Sequence, residues 1–239
     1  MSQRIRPLEP EIKANLINFL MKRGSLKSGL VINEFTVGDF SRRVDLAVVQ
    51  NNRLLAFEVK SDGDTLARLE GQVQKYLQYF DKVTVVTAPK HTSKALELTP
   101  SNVAVWEIIE DKITVKRRGK TFPITSKSCL IDMMTASELH KLSKSLVIHA
   151  ENKRRKSLET ALSKAPLSKL RSEAIKSIKL RYKKRNDKFF SEVNTRQSTP
   201  KDLALLSLRN ADMKKTEHTL DSFIDSLEQL KLSINSNAA

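Results

Sequence analysis

Apolar residues recur with two different periods along this chain, and the switch between them outlines its elements. Ile12, Leu16, Phe19 and Leu20 fall on one stripe at helical spacing, which predicts an amphipathic helix over about 10–22 that stops near Gly24. Val, Ile, Leu and Phe then crowd the segments 30–37, 43–50 and 54–60, each of strand length. Past Ser61 the helical period returns: Leu66, Leu69, Val73, Tyr76 or Leu77, and Phe80 mark a helix over 65–80, with Asp62 or Asp64 as its N-cap. Segments 83–87 and 103–109 are further buried strands with a short helix between them. The expected order is α-β-β-β-α-β followed by a helix and a strand, an α/β fold with a mixed central sheet.

Beyond about Val115 no comparable β run occurs. Thr135-Ala-Ser-Glu138 has the pattern of a capping box, Leu170, Ala174, Ile178 and Tyr182 share one face of a helix spanning 167–190, and Thr199-Pro200 opens another. Leu220, Phe223, Leu227, Leu230 and Ile234 alternate spacings of three and four through two heptads, too few to argue for a coiled coil. They read as a helix packing on its own chain, with a homodimer or protein-partner contact as the other option. The chain thus divides into an α/β core over 1–120 and an all-α region over 121–239.

Charge sharpens this picture. The 239 residues carry 43 Lys and Arg against 27 Asp and Glu, a net +16 that favours a polyanionic partner such as nucleic acid. The excess concentrates in residues 153–188, where 14 basic side chains meet three acidic ones. Lys153-Arg154-Arg155-Lys156 and Lys183-Lys184-Arg185 are its densest clusters. Such runs are either solvated helix faces or a surface that grips a phosphate backbone, and beside the core described next they read as the latter. A single cysteine, Cys129, excludes an intramolecular disulfide and a thiolate zinc site and points to a reducing, cytoplasmic setting. No apolar run approaches the ~18 residues that span a bilayer, and no secretory leader is apparent, so no membrane is expected. His91, His140, His149 and His218 lack metal-ligand spacing, and no glycine-rich loop implies a nucleotide cofactor.

The chemistry centres on the stretch from Val44 to Lys60. Asn51-Asn52 tolerates the positive φ of a two-residue type I′ turn. Such a turn pairs Gln50 with Arg53 and sets Asp45 opposite Glu58, with Lys60 on the same face. Val44, Leu46, Val48, Leu55, Phe57 and Val59 then form the opposite, core face. Two facing carboxylates repel unless a cation lies between them, and an oxygen-only pair suits a hard divalent ion, Mg2+ or alternatively Mn2+. Lys60 is placed to act on a water or phosphate at the same point. The other reading makes Asp45 a partner of Arg42 or Arg43 and Glu58 a partner of Lys60 at a solvated strand end.

Asp45, Glu58-Val59-Lys60 and the α-β-β-β-α-β order resemble the PD-(D/E)XK superfamily of nucleases, with Val44 in place of the motif's proline. Gln72-Val-Gln-Lys-Tyr76 is similar to an element that follows the catalytic strand in its exonuclease-like branches, and the ordered set resembles a little-described bacterial and phage group of predicted nucleases. The resemblance covers about 10–110. It implies Mg2+-dependent phosphodiester hydrolysis, with Asp45 and Glu58 as metal ligands and catalytic groups, Glu11 or Glu34 as a further ligand, and Lys60 and Gln72 as catalytic residues. The implied activity is that of a hydrolase, an endonuclease, and the implied substrate is DNA rather than RNA. Arg42, Arg43, Arg68 and Tyr76 are candidate contacts to it, although Tyr76 reads equally as core and Arg68 as a solvated partner of Glu70 or Asp64. A catalytically inactive nucleic-acid-binding protein on the same frame, acting as a regulatory or assembly subunit, is the alternative. A helical interaction protein is a third reading.

Overall fold

Local chemistry sets the first elements. Helix α1 (Glu9–Lys22) has Pro10 in its first turn, Glu9 and Glu11 near its positive end and Lys22 near its negative end. Strand β1 (Leu30–Val37) leads to the hairpin of β2 (Arg42–Gln50) and β3 (Arg53–Lys60). Its turn residues have φ +49° at Asn51 and φ +58° at Asn52, the left-handed pair that a type I′ turn demands. The register follows as expected: Gln50 pairs with Arg53, Val48 with Leu55 and Leu46 with Phe57.

The computed structural model describes residues 8–38 and 42–207. Helix α2 (Leu69–Tyr79), β4 (Lys82–Thr87), α3 (Pro89–Leu98), β5 (Ala104–Ile109) and β6 (Lys112–Arg117) follow the hairpin. The six strands form one sheet in chain order. The β1/β2, β2/β3 and β5/β6 pairs are antiparallel, and the β3/β4 and β4/β5 pairs are parallel. This is a mixed-sheet α/β architecture with the expected element order. Two details differ. The helix expected from residue 65 starts at Leu69, because Asp64 accepts from the Ser61 N–H and hydroxyl (2.7 and 2.6 Å) and closes the preceding loop instead of capping. Strand β6 was not expected because its Lys-Ile-Thr-Val-Lys-Arg run is largely exposed and its apolar alternation stops at two residues, Ile113 and Val115.

Four further helices complete the described chain: α4 (Lys127–Asp132), α5 (Ala136–Ser145), α6 (Arg155–Leu162) and α7 (Leu167–Glu192), followed by a 3-10 helix at Pro200–Leu206. The capping box at Thr135 and Glu138 forms as expected. These helices do not stand apart from the sheet. Phe189, Val193, Leu203 and Leu206 enter the same core as Ile12, Leu16 and Ile17 of α1 and Leu46, Val48, Phe57 and Val59 of the hairpin. The Asn186 amide clamps the free side of β1, donating to the Val31 carbonyl (2.9 Å) and accepting the Val31 N–H (2.8 Å). The described residues up to Leu206 form one compact unit, with the change from strands to helices falling after β6. The helix expected over 220–234, with its dimer option, lies outside the described residues. Among those described, no helix is long and apolar enough to cross a membrane.

Candidate functional site

Alternation along β3 points Phe57 and Val59 into the α1-side core and Glu58 to the opposite face, where α2 covers it. Glu58 is only 2% exposed. Its Oε1 accepts from Lys60 Nζ (2.7 Å) and Gln72 Nε2 (2.6 Å), and its Oε2 accepts from the Tyr76 hydroxyl (3.0 Å). Lys60 Nζ also donates to Gln72 Oε1 (3.2 Å), and the Tyr76 hydroxyl lies 2.8 Å from the Arg43 carbonyl. Residues 72 and 76, one helical turn apart on α2, thus meet Glu58 and Lys60 of β3.

Asp45 joins from the other side. The β2/β3 ladder ends at Leu46 and Phe57, and the Asp45 carboxylate accepts the Val59 N–H through Oδ2 (2.7 Å). Its Oδ1 lies 3.5 Å from Nζ of Lys13, a buried cation on α1 that also pairs with Glu9 (2.6 Å). Burial and the Glu58 charge push the Asp45 carboxyl up to about 7, against the opposing pull of Lys13 and the Val59 N–H. Burial would lower Lys13, but Asp45, Glu9 and Glu34 more than offset it and raise its pKa. Burial and the neighbouring Glu58 also raise the Tyr76 hydroxyl, which stays protonated and donating.

The structure therefore brings Asp45, Glu58, Lys60, Gln72 and Tyr76 together. Glu34 comes close: in the β1/β2 register it stands opposite Asp45 with φ +61°, 3.4 Å from Arg43. Glu11 does not, because it lies ~200° around α1 from Glu9 and Lys13. Its Oε2 is buried with no hydrogen-bond partner among the described residues. Lys13 was missed, although a lysine inside the Ile12–Leu16–Leu20 stripe is the visible sign of a buried cation. Both Glu58 oxygens and the inner Asp45 oxygen are occupied by protein donors. Among the described residues no group of three or more His, Cys, Asp or Glu could hold a metal ion. Each carboxylate has its own protein cation beside it, Lys60 at Glu58 (2.7 Å) and Lys13 at Asp45 (3.5 Å).

The expected nucleic-acid contacts divide. Tyr76 is fully buried and unavailable for stacking, and Arg68 is exposed at the start of α2. Arg42 and Arg43 are exposed at the start of β2. Arg155 is a clasp within the protein, donating to the Met134 and Asp132 carbonyls (2.8 and 3.2 Å) and pairing with Glu159 (2.6 Å). Lys153, Arg154 and Lys156 are exposed. Arg154 and Lys156 border an open cleft of about 500 Å³ with His149 and Lys164. Lys183 and Lys184 are exposed, and Lys183 pairs with Asp187 (2.8 Å).

The family described as Bacteriophage P4 protein cII matches residues 3–207 of this chain. Protein cII of Enterobacteria phage P4 is 38% identical over 218 residues, covering 87% of this chain and 82% of that protein. A solved protein of unknown function from Silicibacter pomeroyi is similar over 59% of this chain and 92% of its own, at 16% identity and a TM-score of 0.40, too distant to carry an argument. These matches overturn the nuclease resemblance: both family and relative are protein cII, and nothing in them points to a PD-(D/E)XK nuclease. The readings as nuclease, endonuclease, hydrolase and Mg2+-dependent phosphodiesterase fall with it. The physical reason that the motif misled is that Asp, Glu-x-Lys, Gln and Tyr at these spacings equally build a satisfied buried polar network.

Proposed function

This chain belongs to the bacteriophage P4 protein cII family, and on that premise we propose that it is a non-catalytic nucleic-acid-binding protein, serving as a regulatory or assembly subunit. The supporting observation is where charge is left available. In the Glu58 network the cations are spent on carboxylates inside the fold, whereas Lys153, Arg154, Lys156 and Lys164 have no side-chain partner among the described residues and face solvent. Three of the four line or adjoin one cleft. A phosphate backbone is the polyanion that such a surface recognises irrespective of sequence.

Fluorescence anisotropy of the purified full chain with labelled duplex DNA, single-stranded DNA and duplex RNA tests this reading and identifies the preferred polymer. Binding should weaken linearly on a log–log plot against salt, and replacing Lys153, Arg154 and Lys156 by Ala should lower that slope by up to ~0.9 per lost duplex-DNA contact. Circular DNA incubated alongside should stay intact. Absence of binding at low salt would sink the proposal.

A further inference from the structure

A second basic surface runs along α7, outside both the Glu58 network and the α6 cleft. Its first part is a cleft of about 540 Å³ between α7 and the tip of the β2–β3 hairpin, lined by Arg171, Lys176, Lys179, the hydroxyl residues Ser168 and Ser172, and Asn52. Its second part, about 310 Å³, continues past Lys179 and Leu180 to Lys183 and Phe190, with residues 28–30 on the other side. Lys179 and Leu180 border both parts, so the two lie next to one another along the helix.

Helical phase explains why these cations collect there. At ~100° per residue, Lys176, Lys179 and Lys183 fall within ~60° of one another, whereas Lys184 and Arg185 lie ~100° and ~200° beyond Lys183. The dense sequence cluster at 183–185 therefore contributes one residue to the groove, and the sparser lysines upstream supply the rest. Over its whole length α7 carries nine basic and three acidic residues, a net +6.

The wall is built, not incidental. Buried Asp81 accepts from the Leu54 N–H (2.7 Å), the Ile124 N–H (3.0 Å) and Arg171 Nη2 (2.8 Å), tying hairpin, β4 and α7 together. Arg171 Nη2 also donates to the Asn52 carbonyl (3.1 Å), and Lys179 Nζ donates to Asn52 Oδ1 (2.8 Å). Arg171 Nη1 is left without a hydrogen-bond partner among the described residues. The ion pairs on this face, Lys176–Glu173 at 3.4 Å with Glu173 half-buried and the exposed Lys183–Asp187 at 2.8 Å, hold their lysines weakly.

We infer that this groove seats the sugar–phosphate backbone of duplex DNA, an assignment that rests on the nucleic-acid reading above and names its duplex contact. Ser168 to Phe190 spans ~33 Å of helix axis, close to the ~34 Å of one duplex turn. Lys176, Lys179 and Lys183 neutralise phosphates, the Ser168 and Ser172 hydroxyls donate to phosphate oxygens, and Leu180, 65% exposed, lies against sugar carbons.

The test is a full-length K176A/K179A/K183A variant, compared with wild type and with K153A/R154A/K156A by anisotropy on duplex and on single-stranded DNA across a salt series. Lys176 and Lys183 are exposed and half-buried Lys179 gives up one bond to Asn52, so the melting temperature should fall only slightly. The log–log slope should fall by up to ~2.7 for three lost contacts, and duplex affinity with it. A wild-type protein that binds with salt dependence while the groove variant keeps its full slope overturns the groove and leaves the α6 surface standing. A wild-type protein that does not bind overturns both, and a loss confined to single-stranded DNA overturns the duplex assignment.

Discussion

Two regions of this molecule hold the same residue types in opposite states. Around Glu58, cations and carboxylates lie inside the sheet-and-helix sandwich, each charge met at 2.6–3.5 Å by a partner from β3, α1 or α2. Along α6 and α7, Arg155, Arg171 and Arg181 are bonded within the fold, while the lysines and Arg154 face outward with weak partners or none. The first arrangement costs desolvation and repays it only as a complete set; the second costs little and keeps its charge available to a ligand. Residue identity does not distinguish a reactive constellation from a structural one. What distinguishes them is whether each donor has already been spent.

The hardest blow to this contrast should come from Glu58→Ala, which leaves Lys60 buried without its counter-charge and strips acceptors from Gln72 and Tyr76. A loss of about 3–5 kcal/mol in urea denaturation is expected; a loss under about 1 kcal/mol would mean that the network is not closed. Tyr76→Phe removes one hydroxyl bonded to Glu58 and the Arg43 carbonyl, with an expected cost of about 1–3 kcal/mol by the same measurement.

Asp45 gives a pH test. Its folded pKa is raised from 3.8 to about 7, so its contribution to stability is fully present below its unfolded pKa and is lost as pH rises through about 7. The melting temperature of Asp45→Asn relative to wild type should therefore climb between pH 4 and 8, the asparagine copying the protonated state; a flat difference would place the carboxyl in an ordinary environment. Mg2+ should leave the wild-type melting temperature unchanged, and a rise that Asp45→Asn abolishes would show that the carboxylates take a metal after all. The smallest effect marks the other region: Lys156→Ala should alter stability by less than ~0.5 kcal/mol while lowering the salt slope of DNA binding.

Much of the fold was legible because it follows local rules. Asn51-Asn52 fixed a register that the structure reproduces, and the 3.6 and 2.0 periods located the elements up to β5. The cluster's membership was legible too, since Glu58, Lys60, Gln72 and Tyr76 lie on facing surfaces of adjacent elements. Its state was not. Whether Lys60 points at Glu58 or at solvent depends on α2 closing over the strand, and whether Lys13 reaches Asp45 depends on the docking of α1. Arg155 was misjudged for the same reason, because its partners are the carbonyls of Asp132 and Met134, some twenty residues away in the chain. The integration of α7 into the core likewise rests on Asn186, Phe189 and Val193, which no periodicity ties to β1 or α1.

Asn186 has a consequence for self-association. β1 is an outer strand, and an outer strand with open amides and carbonyls is a template onto which another chain can add itself. At Val31 the primary amide of Asn186 occupies both hydrogen-bonding groups, in the manner of one residue of a neighbouring strand that is not there. A single side chain thus acts as a plug against edge-to-edge oligomerisation, and α7 protects solubility as well as carrying charge. Substitution by leucine would fill similar volume yet unplug the strand, and light scattering after mild heating would register it as aggregation before any loss of helix.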